Sequence, residues 1–132
     1  MSYTVEVCMA YEGALLDLKA IIEDVLGVKL PNQDTSYGDF EGQLLGMDLS
    51  LGANLLVTDA GINFSDFKYE LSTRTGAGYR FNEYARPLQL QITNIMAIML
   101  CYHLGVEVMV TIGAQHLHAR YKPEEIRASL EQ

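Results

Sequence analysis

The residues best suited to chemistry stand near the C-terminus, in Gln115-His116-Leu117-His118-Ala119-Arg120. Read as a strand, this spacing puts His116, His118 and Arg120 on one face. Two adjacent imidazoles can hold a metal ion or pass a proton. No third ligand is fixed by spacing, so no metal is expected, and His116 and His118 are weak candidates only. Cys101 and His103 lie two apart on a helical stretch and do not face each other. The apolar residues around Cys101 favour an inert thiol over a nucleophile. Gly76-Ala77-Gly78 lacks the third glycine of a dinucleotide fingerprint and the lysine of a phosphate loop, so no cofactor is expected. Asp34, Asp39 and Glu41 do not have the spacing of a helix–loop–helix calcium loop. No catalytic residue emerges, and an enzyme is the lesser expectation.

Charge and rings carry more. The net charge is −8 over 132 residues. All of the surplus lies in residues 1–70, where 12 acids face three lysines; the remainder carries five acids and six basic residues. Such a chain lacks the basic stripe that displaces counterions from nucleic acid, and it is repelled by anionic membranes. It attracts basic proteins. The two polar loops also carry large rings: Tyr37 and Phe40 in the first, Tyr79, Phe81 and Tyr84 in the second. Rings in glycine-rich loops serve as partner anchors; the alternative is that they fold down as core plugs. Asp59, Asp66 and Glu70 lie on or beside a long strand candidate that also carries Lys68 and Arg74. They form either a surface ion lattice or the centre of an acidic docking surface.

The elements that must position these residues follow from periodicity. Residues 3–10 alternate as a strand, with Tyr3, Val5, Val7 and Met9 on one face and Thr4, Glu6 and Cys8 on the other. From Glu12 the period becomes helical, with Leu15, Leu18, Ile22, Val25 and Leu26 forming a stripe that ends at Gly27. Alternation over 43–50, 54–59 and 64–75 predicts a three-stranded meander with one wet face. Pro87 suits the first turn of a helix running to Leu104 that is apolar nearly all round. A strand over 106–112 extends past a break at Gly113, and Pro123-Glu124-Glu125 opens a short terminal helix. The order β-α-β-β-β-α-β-α predicts a single α+β domain over 1–132. It is a two-layer sandwich with an antiparallel or mixed sheet of about five strands and two main helices on one face, loosely ferredoxin-like or cystatin-like. Cys8 and Cys101 lie on core-like segments and suit a reducing cytoplasm. The N-terminus has no signal-peptide pattern, and residues 92–104 are too short and too interrupted to cross a bilayer.

In size, charge and lack of a catalytic motif the chain is similar to bacterial toxin-immunity proteins. The leading expectation is an acidic binding module, an inhibitor or immunity-type protein neutralising a basic partner such as a nuclease toxin. Its expected contact residues are Asp34, Tyr37, Asp39, Phe40, Glu41, Asp59, Asp66, Glu70, Tyr79, Phe81 and Tyr84. The alternatives are a small enzyme or metal-binding protein built on His116 and His118, and a self-assembling subunit whose apolar helix packs on a second copy in a homodimer.

Overall fold

A computed structural model describes residues 3–33, 39–54, 58–59, 61–75 and 82–131, with the backbone alone at 58–59 and 82–84. Its elements in chain order are β1 (Thr4–Met9), α1 (Leu15–Leu26), β2 (Asn32–Gln33), β3 (Phe40–Leu44), β4 (Met47–Ala53), β5 (Thr58–Asp59), β6 (Ile62–Asn63), β7 (Tyr69–Thr75), α2 (Asn82–Leu104), β8 (Val108–Ile112), β9 (His116–Tyr121) and α3 (Pro123–Leu130). Seven strands form one open antiparallel sheet in the order β2-β3-β4-β7-β1-β8-β9, and β5 and β6 form a separate ribbon. The α+β class is as the sequence predicts. The central order β4-β7-β1-β8, with α1 linking β1 towards β4 and α2 linking β7 to β8, is the split β-α-β connectivity of ferredoxin-like sandwiches.

Strand alternation builds the main core. Val5, Val7 and Met9 of β1, Leu49 and Leu51 of β4, Leu71 of β7, and Val108 and Val110 of β8 meet Leu18 and Ile22 of α1 and Met96, Ala97, Leu100 and Cys101 of α2. Each fully buried aliphatic side chain contributes roughly 1.5–3 kcal/mol from the area it removes from water. A polar knot crosses this layer. The Thr73 hydroxyl donates to the carbonyl of Val5 at 3.0 Å and sits 2.9 Å from the Thr93 hydroxyl, while the Gln89 amide donates to the Thr73 carbonyl at 3.0 Å. Buried hydroxyls and amides need such partners, so the knot sets where α2 sits along the sheet. Glu23 of α1 accepts from the backbone N–H of Leu30 at 2.8 Å and from Lys19, and together these hold its carboxyl below the usual range.

The structure departs from the sequence reading at several places. Among the described residues the expected strand over 54–59 is not part of the main sheet, β5 (Thr58–Asp59) pairing only with β6. Residues 43–50 are not one strand. The chain reverses at Leu45-Gly46, both in the left-handed region (φ 51° and 81°), and β3 pairs back onto β4. Two such residues make the tight hairpin turn whose twist matches the strands. The long strand begins at Tyr69 rather than at residue 64. Phe64 and Phe67 instead form a turn, with the N–H of Phe67 on the carbonyl of Phe64 at 2.9 Å, and fold onto the opposite side of the sheet. There they bury Cys8 and Met109 in a second, smaller core. Finally, α2 starts at Asn82, which leaves Pro87 inside the helix. The missing N–H at Pro87 removes one bond to the turn before it.

Candidate functional site

The side chains of β1, β4 and β7 that point away from the helices define a second sheet face. Phe64 and Phe67 cover its β1–β8 part. The rest, from β1 out to β3, is a groove of about 510 Å³ that no described residue covers, lined by Thr4, Glu41, Gln43, Asp48, Ser50, Ser72 and Arg74. The pairing explains the lining. Ser50 lies opposite Glu41 on one side and Ser72 on the other, and Ser72 lies opposite Glu6. Asp48 lies opposite both Gln43 and Arg74, and Arg74 lies opposite Thr4. Polar side chains thus run in rows across four strands.

Glu41 and Asp48 line the groove, and three further acids, Glu6, Asp39 and Glu70, lie beside it on the same sheet face. Glu6 stands in the middle of β1 and is only 5% exposed. Its carboxylate accepts from the Thr4 and Thr111 hydroxyls at 3.0 and 2.9 Å and from the N–H of Ala114 at 3.3 Å. Burial still outweighs these bonds and pushes its pKa up. Glu70 pairs with Cys8, one step diagonally from Glu6. Burial raises its pKa to about 7, with added repulsion from Glu6 and Asp39. Asp39 reaches this cluster because residue 52 is glycine. A Cβ there would sit 1.9 Å from Asp39 Oδ1, so only Gly52 lets the carboxylate lie across β4, where the Ser50 hydroxyl donates to it at 3.3 Å. Glu6 and Asp39 therefore stand close to Glu70, and their negative charge adds to burial in making Glu70 costlier to ionise.

Of the residues singled out from sequence, Asp39, Glu41 and Glu70 come together on this face. Asp66 is exposed in the turn that covers the neighbouring part, close enough to Arg120 to act on its charge. Phe40 packs against the main core on the helix side, with the Lys19 ammonium 5.2 Å above its ring. Asp34, Tyr37, Tyr79 and Phe81 lie outside the described residues, as do the side chains of Asp59 and Tyr84. Glu6, Asp48, Ser50 and Ser72 were not singled out, although Glu6 in the otherwise apolar run Val5–Met9 is the signal that marks them.

His116 and Arg120 do not share a face. β9 pairs through Ala119 with Val110 and through Leu117 with Thr111, and a β-bulge between these pairs leaves His118 as the extra residue. The bulge shifts the alternation, so His116, opposite Ile112, and Arg120, opposite Met109, fall on opposite sides of the sheet. Both histidines are exposed. Arg120 pairs with Glu107 and lies 5.6 Å above the Phe67 ring. Among the described residues no group of three His, Cys, Asp or Glu side chains is arranged to hold a metal ion. Cys8 and Cys101 are buried and free, and burial pushes their thiols up to about 12 and about 11. No helix among the described residues is long and apolar enough to cross a membrane. No protein-family model matches the chain, and no curated protein or solved structure matches it either.

Proposed function

We propose that this chain is a binding module for a cationic protein, an inhibitor or immunity-type protein whose uncovered acidic sheet face receives basic side chains of a partner such as a nuclease toxin. One observation carries the reading: Glu6 and Asp39 crowd Glu70 beside Glu41 and Asp48, and among the described residues Arg74 is the one basic residue lining the groove. Ionised Glu70 is partly desolvated and faces the negative charge of Glu6 and Asp39. A guanidinium or ammonium entering the groove offsets both costs at once, which makes the site selective for positive charge. The acid-rich N-terminal half steers encounter, and shape in the groove sets release. The buried, reduced thiols of Cys8 and Cys101 fit a cytoplasmic setting.

The test is a titration with an arginine-rich peptide, followed by backbone amide chemical shifts. Shifts concentrated at Glu41, Asp48, Ser50 and Ser72, with affinity falling steeply between about 50 and 300 mM salt, are the expected outcome; these concentrations span roughly a 2.5-fold change in screening length. Shifts spread over the remote acids Asp17, Asp24 and Glu124, or an affinity indifferent to salt, would remove the proposal.

A further inference from the structure

Beside the groove, two carboxylates occupy neighbouring places on one sheet face. Glu70 of β7 stands in register between Cys8 of β1 and Gly52 of β4. Residues paired in this way carry their side chains on the same face with Cβ atoms about 5 Å apart. Residue 52 has no side chain, and Asp39, just before β3, fills the space. Its Oδ1 and Cγ lie 1.9 and 2.4 Å from where a Cβ of residue 52 would stand. Backbone register thus sets the Asp39 carboxylate where a side chain facing Glu70 belongs.

The surroundings supply no compensating charge. Glu6 lies one step diagonally on β1, while Ser50 and Ser72 flank the pair on β4 and β7. From β8, Met109 stands opposite Cys8 and Thr111 opposite Glu6. Phe64 and Phe67 pack on Cys8, and the charges around that turn, Asp66 and Glu107, act on Arg120. Lys68, two residues before Glu70, has its Nζ 3.7 Å from Glu12, and Arg74 lies two rows away opposite Asp48. The ion pairs among the described residues, Lys19–Glu23, Lys68–Glu12 and Arg120–Glu107, include none of Glu6, Asp39 and Glu70.

We propose that Asp39 and Glu70 form a pH-operated latch across Gly52: Asp39 lies over β4 while Glu70 keeps its proton, and swings away once Glu70 is ionised. Asp39 is the member free to move. Glu70 sits on a strand paired on both sides, and Glu6 is held by three hydrogen bonds. The Asp39 carboxylate is tied to β4 by the Ser50 hydroxyl at 3.3 Å, a long bond for two oxygens. Burial, then the charges of Glu6 and Asp39, raise the Glu70 pKa to about 7, so the latch turns at neutral pH. Its release leaves the Ser50 hydroxyl, which lines the groove, without its carboxylate. The latch works in the chain alone, whatever the groove binds.

The experiment is a pH titration of the full chain by NMR. It follows the side-chain carboxyl carbon of Glu70 and the nuclear Overhauser contact between the Asp39 β-protons and the Gly52 α-protons. The contact should be present at about pH 5.5 and lost at about pH 8.5, with the midpoint of the Glu70 carbon. Gly52→Ala puts a methyl group where the Asp39 carboxylate lies and changes no charge. It should displace Asp39 and lower the Glu70 midpoint, and Asp39→Asn should lower it too. Should Gly52→Ala disturb the fold, Glu70→Gln replaces it and should keep the contact at about pH 8.5. A wild-type contact that persists at high pH overturns the inference. So does a Glu70 midpoint that neither Gly52→Ala nor Asp39→Asn lowers, or a contact that Glu70→Gln still loses.

Discussion

Replacing Glu70 by Gln should stabilise the protein at pH 8 and leave it unchanged near pH 4. In the unfolded chain this carboxyl titrates at 4.5, and in the fold at about 7. Between those values the folded state keeps a proton that the unfolded state has lost. The contribution of the neutral carboxyl is therefore complete below pH 4.5 and is lost as pH rises through 7. At about 1.4 kcal/mol per pH unit, the gap sets an upper limit of about 3 kcal/mol for the cost of ionising Glu70 at pH 8. Glu70 is only partly buried, so screening by water brings the expected gain to about 1–2 kcal/mol. For a domain of this size that is about 3–7 °C in Tm. Glutamine keeps the shape and cannot ionise. Thermal or urea unfolding of both proteins from pH 4 to pH 8 reads the difference directly. The reasoning is refuted if the Gln variant is the weaker protein at pH 8, or if its advantage is the same at both ends of the range.

Three further outcomes follow from the packing. Leu45→Asn supplies the Asn-Gly pair that suits two left-handed residues at the β3–β4 turn, and should raise stability by about 1 kcal/mol in urea unfolding. Thr73→Val removes the hydroxyl that binds the Val5 carbonyl and contacts Thr93, and should cost about 1–3 kcal/mol; combined with Thr93→Val the two effects should be less than additive in a double-mutant cycle. Native protein at pH 8 should leave both thiols unmodified by an aromatic disulfide reagent, whereas denatured protein should release two equivalents; rapid labelling of the folded chain would contradict the burial of Cys8 and Cys101.

What could be read from the residues depended on whether the signal was local. The alternation of Val5, Val7 and Met9, the helical stripe through Leu18 and Ile22, and Pro123 at the start of α3 each act over a few positions, and each element stands where its pattern put it. Leu-Gly is not a preferred hairpin pair, so the reversal at Leu45-Gly46 stayed hidden inside what looked like continuous alternation. Phe64 and Phe67 fit a strand pattern as well as a turn, and only the need to cover Cys8 and Met109 decides between them. The acidic groove is a product of register. Nothing in the order of residues says that Ser72 lies between Ser50 and Glu6, or that a glycine at 52 gives Asp39 its position. His116 and Arg120 part for a related reason: one inserted residue in β9 reverses the side to which later side chains project.

That same bulge bears on how the protein survives at high concentration. An open sheet offers two unsatisfied rims, and a flat rim is a template onto which another chain can add and grow into fibres. Here one rim ends in the irregular, histidine- and arginine-bearing β9, and the other in the two-residue β2. Among the described residues neither presents a long regular ladder. Growth by strand addition is blunted at both ends, so crowding should drive these molecules toward discrete, finite assemblies.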